Sequence, residues 1–196
     1  MTVAERKSPP VPTAHRWTVE DYLRADQAGL FGSQRVELIE GEIIDMPGQM
    51  DPHAWAISRL TFALRDIFPN PFWIKIQATL RLNDYSAPEP DIAVMSGPPS
   101  PPAGETPVPL LIVEVSESSL HYDRVRKASL YAMNGIADYW VADVAAKQVE
   151  VFRGPVRDAS KPYGWGYEQV SIFKLQDRIA PLALPKAIVE VSAFLA

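Results

Sequence analysis

The chain contains no cysteine among its 196 residues. That excludes disulfides, thiolate zinc sites and cysteine nucleophiles. Histidine is scarce, at three residues, so a histidine-rich metal centre is not expected either. No stretch approaches the ~18 uninterrupted apolar residues that a membrane-crossing helix needs. The N-terminus has no continuous apolar run after its basic residues, which argues against a signal peptide and for a cytoplasmic address. Positive charge is also in deficit. Lys and Arg number 19 against 24 Asp and Glu, a net charge of −5, the wrong sign for a protein that coats nucleic acid by electrostatics alone. An enzyme acting on nucleic acid remains compatible with that balance, because metal-binding acids add negative charge that bound cations cancel.

What is present is an apolar fraction of 47% and a charged fraction of 22%, enough for a sizeable core. Nineteen prolines cluster at the N-terminus and between Pro88 and Pro109, a loop signature. Residues 1–16 read as a polar, Pro-rich leader and 17–196 as one domain. Thr18, with acids at Glu20 and Asp21, opens a short helix over about 19–25. The run RVELIEGEIID from Arg35 to Asp45 reads as a β-hairpin turning at Glu40-Gly41. Asp51-Pro52 starts a helix whose apolar stripe includes Trp55, Leu60 and Leu64 and which stops at Pro69. Strands are expected over 72–82, 91–95, 109–115 and 136–142. A helix over 120–134 ends at Asn134-Gly135, and a further hairpin strand covers 147–153. Short edge strands over 168–173 and 178–181 follow a turn-rich loop at 154–166, and the C-terminal stretch 184–195 suits helix or strand. The order implies a mostly antiparallel sheet with one parallel crossover, covered by helices.

Chemistry concentrates between Pro88 and Tyr131. Asp91 opens one strand. Glu114 lies 23 residues later inside the nearly all-apolar run from Pro109 to Val115, where an acid is costly unless it has a task or a partner. If the two strands are neighbours, the carboxylates converge, and two such groups repel unless a cation bridges them. With oxygen ligands and neither thiolates nor a histidine cluster, that cation is Mg²⁺ or Mn²⁺, with the Val115 carbonyl as an additional oxygen. Such an ion polarises a phosphate and activates water. Lys127, on a helical stripe with Asp123 and Tyr131, is the candidate cation for the developing charge. The bland alternatives are a strand-start acid at Asp91, a surface pair at Asp123 and Lys127, an exposed hairpin acid at Glu37, a surface or cap histidine at His53, and core roles for Trp55, Trp73, Tyr139 and Trp140.

Four stretches carry a resemblance: VELIEGEIIDM at 36–46, HAWAISRLTFAL at 53–64, KIQATLRLNDYSAPEPDIAVM at 75–95, and LLIVEVSESSLHYDRVRKASLYAMNGIADYWVADVAAKQVEVFR at 110–153. In that order they resemble the Uma-type family of stand-alone bacterial endonucleases, abundant in cyanobacteria and actinobacteria, of the PD-(D/E)XK restriction-endonuclease-like superfamily. The resemblance implies an α/β (α+β) restriction-endonuclease-like core. Its central mixed β-sheet is flanked by helices, with an extra N-terminal helix and β-hairpin. It aligns Pro90-Asp91 with the superfamily's PD and Glu114 with its second acid. The lysine usually found two residues after that acid is Ser116 here, and Lys127 on the following helix is the implied replacement. Glu37 and Gln77 match recurrent polar positions of the family. The implied activity is Mg²⁺- or Mn²⁺-dependent hydrolysis of phosphodiester bonds, in DNA before other nucleic acids, with a homodimer left open. A nuclease-like module that binds without cleaving, and a purely structural protein, are the competing expectations.

Overall fold

The computed structural model describes residues 13–48, 50–97, 99 and 107–196. Most of the expected leader, and most of the Pro-rich loop between Gly97 and Pro107, fall outside the described residues. Among those described, no helix is long and apolar enough to cross a membrane.

Helix α1 spans Val19–Gln27, capped by the Thr18 hydroxyl, which accepts from the Asp21 backbone N–H. It packs Val19 and Tyr22 against Val36 and Leu38 of a hairpin formed by β1 (Val36–Ile39) and β2 (Glu42–Asp45). The turn places Glu40 and Gly41 at positive φ. A side chain at Gly41 would collide with Arg16, whose Cβ lies 2.8 Å from the position a Cβ would take there. This helix and hairpin are an annex to the main sheet. Tyr22 donates its hydroxyl to the Val36 carbonyl at 2.9 Å, locking the annex internally.

The main sheet runs β3-β4-β5-β6-β7-β8 in spatial order, with β3 Trp73–Ile76, β4 Ile92–Met95, β5 Leu111–Ser116, β6 Asp138–Asp143, β7 Gln148–Arg157 and β8 Trp165–Lys174. Every pairing is antiparallel except β5 with β6. The helix between those two strands makes the single crossover, as parallel neighbours require. Alternation divides the sheet's side chains between two cores. Val113, Val115, Trp140 and Val151 face helix α2 (Asp51–Ile67) and the C-terminal helix α4 (Ser192–Leu195). Ile112, Tyr139, Val141 and Phe152 face the crossover helix α3, over residues 120–133. This mixed sheet with helices on its faces and an N-terminal annex has the restriction-endonuclease-like α+β architecture.

Several boundaries differ from the sequence reading. Strand β3 ends at Ile76 rather than continuing to Leu82. Gln77 takes a φ of 44°, which breaks the pleat, and the chain then pairs locally, Leu80 N–H to Pro88 and Leu82 N–H to Ser86. The expected loop at 154–166 is shorter, because β7 runs on to Arg157 and β8 starts at Trp165 as a two-stranded ribbon beyond the sheet, leaving 158–164 as its turn. Trp55, expected in the core, is 60% exposed. It lies on the outer face of α2, while Ala56, Leu60 and Leu64 carry the packing. The segment Leu120–Tyr122 of α3 passes into a π-helical turn, Asp123–Lys127, before Ala128–Met133 resumes the α-helix. The Ala128 N–H reaches back five residues to the Asp123 carbonyl, which also accepts from the Tyr139 hydroxyl at 3.1 Å. Such turns recur at functional sites because they re-aim side chains without ending the helix.

Candidate active site

The β4–β5 register pairs Ile92 with Val113, and one step further along it brings Asp91 opposite Glu114. Backbone and side chain then interlock. The Asp91 N–H donates to Glu114 Oε2 at 3.2 Å, and the Val115 N–H donates to Asp91 Oδ2 at 2.8 Å. Both acids are buried. They line a recess of about 50 Å³ together with Glu37, His53, Asp123 and Lys127.

Lys127 comes from the π-helical turn of α3. Its ammonium donates to Glu114 Oε1 at 3.0 Å and to Glu37 Oε1 at 3.1 Å, so one cation ties the annex hairpin to the main sheet. The side chain is 2% exposed, a burial that an ammonium tolerates only when paired. Burial pushes Lys127 down, but Glu114, Glu37 and Asp123 more than offset it, and the group stays charged. One helical turn on, the Tyr131 hydroxyl donates to Glu114 Oε1 at 2.7 Å. Asp123, also buried, accepts from the Ser116 and Ser119 hydroxyls at 2.6 Å each. Ser116 thus fixes Asp123 with its hydroxyl, while the ammonium beside Glu114 comes from the helix.

Burial dominates the acids' titration. It pushes Glu114 up to about 8 against the pull of Lys127, and Asp91, Asp123 and Glu37 add to the rise. Asp123 is also raised by burial, with Lys127 opposing. Asp91 goes the other way. Burial raises it, but His53, the Val115 N–H and Lys127 together hold it below its usual value.

His53 is where the sequence reading falls short. It is neither a surface nor a capping residue. It is buried in the first turn of α2, and its Nε2 lies 3.2 Å from Asp91 Oδ2. Burial alone would lower its pKa, yet the facing Asp91 carboxylate leaves it raised. No spacing rule joins positions 53 and 91. Gln77 also reaches Asp91, its Nε2 donating to Oδ1 at 3.2 Å, from the strained backbone that ends β3. Glu37, weighed as an exposed hairpin acid, is 1% exposed. Thus Asp91, Glu114, Lys127 and Glu37 meet around one recess with Val115 on its wall, and Gln77 joins them from outside its lining through Asp91 Oδ1.

A carboxylate has about four acceptor positions. Asp91 uses three: one on Oδ1 and two on Oδ2. Glu114 also uses three: two on Oε1 and one on Oε2. Glu37 uses two, both on Oε1, which also accepts from the Glu89 N–H at 3.2 Å. Its Oε2 is buried with no partner. Capacity therefore remains on Asp91 Oδ1, on both positions of Glu37 Oε2 and, once Glu114 gives up its proton, on Glu114 Oε2. Among the described residues no group of three or more His, Asp or Glu side chains is arranged as a ready metal cage. Mg²⁺ characteristically takes one or two carboxylates and fills its remaining positions with water. The hard oxygen donors with capacity to spare fit that mode of binding.

The fold is nuclease-like. A family profile described as "Uma2: Putative restriction endonuclease" matches residues 19–192, and the chain belongs to that family. Among solved structures, it is similar to one described as a putative nuclease belonging to DUF820 from Anabaena variabilis. The two share 15% identity at a TM-score of 0.65, over 91% of this chain and 97% of that one. At that identity the likeness speaks for the fold. Among curated proteins no match was found.

Proposed function

We propose that the chain is a divalent-metal-dependent endonuclease that hydrolyses phosphodiester bonds in DNA. The observation that carries this reading is the unspent acceptor capacity of Asp91, Glu114 and Glu37 around one recess, with the Lys127 ammonium among them. A structural ion-pair cluster gains nothing by leaving a buried carboxylate oxygen unpaired, which costs about 1–3 kcal/mol.

Asp91, Glu114 and the Val115 carbonyl would hold Mg²⁺ or Mn²⁺. The bound ion supplies Lewis-acid polarisation of a phosphate oxygen and a lowered pKa for bound water. The protein's own groups do the rest. Gln77 and His53 fix the Asp91 carboxylate from both oxygens. Tyr131 and Lys127 pin Glu114 Oε1, leaving Oε2 turned to other partners. Lys127 keeps a positive charge beside the reacting phosphate, where negative charge builds up in the transition state. Glu37 Oε2 is free to accept a hydrogen bond from the attacking water and orient it. The metal-free recess is rich in acids and repels a phosphate, so substrate and cation enter together.

The test is a cleavage assay on supercoiled plasmid and single-stranded DNA with Mg²⁺, Mn²⁺ or EDTA, for the native chain and Asp91→Ala. Metal-dependent nicking that Asp91→Ala abolishes is expected. An alternative has one observation in its favour: every oxygen of Asp91 and Glu114 already has a donor. That is how a module that binds without cleaving would look. Binding to DNA that persists in EDTA, with no cut in any DNA or RNA, selects that alternative.

A further inference from the structure

The two edges of the main sheet are finished differently. Strand β3 has four residues, follows Pro69 and Pro71, and ends at the positive-φ Gln77. Shortness and a kink are standard protections against edge-to-edge pairing. Strand β8, at the other edge, has ten residues. Among the described residues nothing pairs with its outer side. Residues 168–172 are exposed without interruption, and Val170 and Ile172 are 52% and 57% exposed. No proline lies within it, and its single lysine is at the end.

The order of side chains along this edge is self-complementary. In an antiparallel pairing of two copies centred on Ser171, Val170 faces Ile172 of the second copy and Glu168 faces Lys174 of the second copy, each contact occurring twice. Opposite charges and β-branched pairs directly across an antiparallel ladder are both favourable. Moving the centre one residue toward the N-terminus sets Glu168 against Ile172. Moving it one residue toward the C-terminus sets Val170 against Lys174. An in-register parallel pairing opposes like charges. Only the Ser171-centred register satisfies both the charges and the apolar pair.

We propose that β8 is a homodimerisation edge, joining the sheets of two copies into one continuous sheet about a two-fold axis at Ser171. Such a closed, self-matching contact is the commonest form of oligomer. The inference is independent of the phosphodiester reading, since no residue of the recess takes part.

Sedimentation and mild thiol oxidation test it on the full chain. The native protein is expected to sediment at twice its 21.8 kDa mass. Because the chain has no cysteine, a single introduced thiol reports register cleanly. Ser171→Cys forms a disulfide-linked dimer with copper–phenanthroline. Lys174→Cys does not, since its two copies lie roughly 20 Å apart at a strand rise of about 3.4 Å per residue. Glu168→Lys shifts the protein to monomer with unchanged far-UV circular dichroism, and adding Lys174→Glu restores the dimer. A chain that stays at its monomer mass across the concentration range overturns the proposal. So does a dimer that survives Glu168→Lys, or one that cross-links as readily at position 174 as at 171.

Discussion

Two buried acids sit on neighbouring strands of the same sheet and live under opposite rules. Asp138, on β6, fills all four acceptor positions. Oδ1 takes the Trp140 indole N–H at 2.9 Å and Arg153 Nε at 2.8 Å, and Oδ2 takes the Leu182 N–H at 2.8 Å and a second Arg153 nitrogen at 3.3 Å. Among the described residues no second acid shares its guanidinium. Glu114, on β5, shares a single ammonium with Glu37, and capacity on both residues goes unused. The first arrangement closes an account of charge and hydrogen bonds, and the second leaves it open toward a recess. A strand acid that is fully matched has its role in holding the fold, whereas the under-matched acid beside an opening is the one that the proposed reading assigns to a ligand.

The sharpest way to break this contrast is to remove both anchors and compare. Asp138→Ala strips Trp140, Leu182 and Arg153 of their common acceptor and should cost about 3–5 kcal/mol. Urea unfolding should show that loss undiminished when Mn²⁺ is present. Lys127→Met leaves Glu37 and Glu114 without their ammonium and should cost about 3 kcal/mol in EDTA. Part of that loss should return with Mn²⁺, because a divalent ion can take over the role of counter-charge. Equal metal rescue of both variants would erase the distinction.

His53→Gln should cost less, about 1–2 kcal/mol of stability, since Asp91 keeps its Val115 and Gln77 donors. It should also weaken Mn²⁺ binding, measured by calorimetry. The smallest effect concerns pH. Glu114 in the folded, metal-free chain holds its proton to about 8, while the unfolded chain releases it near 4.5. The folded state therefore binds more protons across that window, and this group's contribution to stability falls as pH rises through it. Glu114→Gln should flatten that part of the decline in EDTA.

Much of the scaffold was readable from pattern. The hairpin turn at Glu40-Gly41, the α2 stripe and the apolar run around Glu114 follow rules of local periodicity, and the structure places the elements there. Asp91 and Glu114 drew notice for the same local reason, an acid at a strand start and an acid within an apolar strand. That same reasoning passes over Asp138, which is just as anomalous in its own strand and merely structural. What separates the two acids is partner count, a property of residues distant in sequence such as Arg153 and Leu182. His53 was missed because its meeting with Asp91 depends on how the first turn of α2 docks on the sheet end. The edge strand over 168–173 is legible from pattern, but Gly154, Pro155, Gly164 and Gly166 read as loop and hide how far β7 and β8 run on together. Yet the two strands stay paired from Arg157 and Trp165 inward.

The most direct measurement is anomalous scattering from crystals soaked in Mn²⁺. A single peak within coordination distance of Asp91 and Glu114, about 2.0–2.2 Å for such an ion, and absent from Asp91→Ala crystals, is the predicted result. Native crystals with no peak in the recess, the Lys127–Glu114 contact unchanged at high Mn²⁺, would contradict the claim that these acids are held open for a metal.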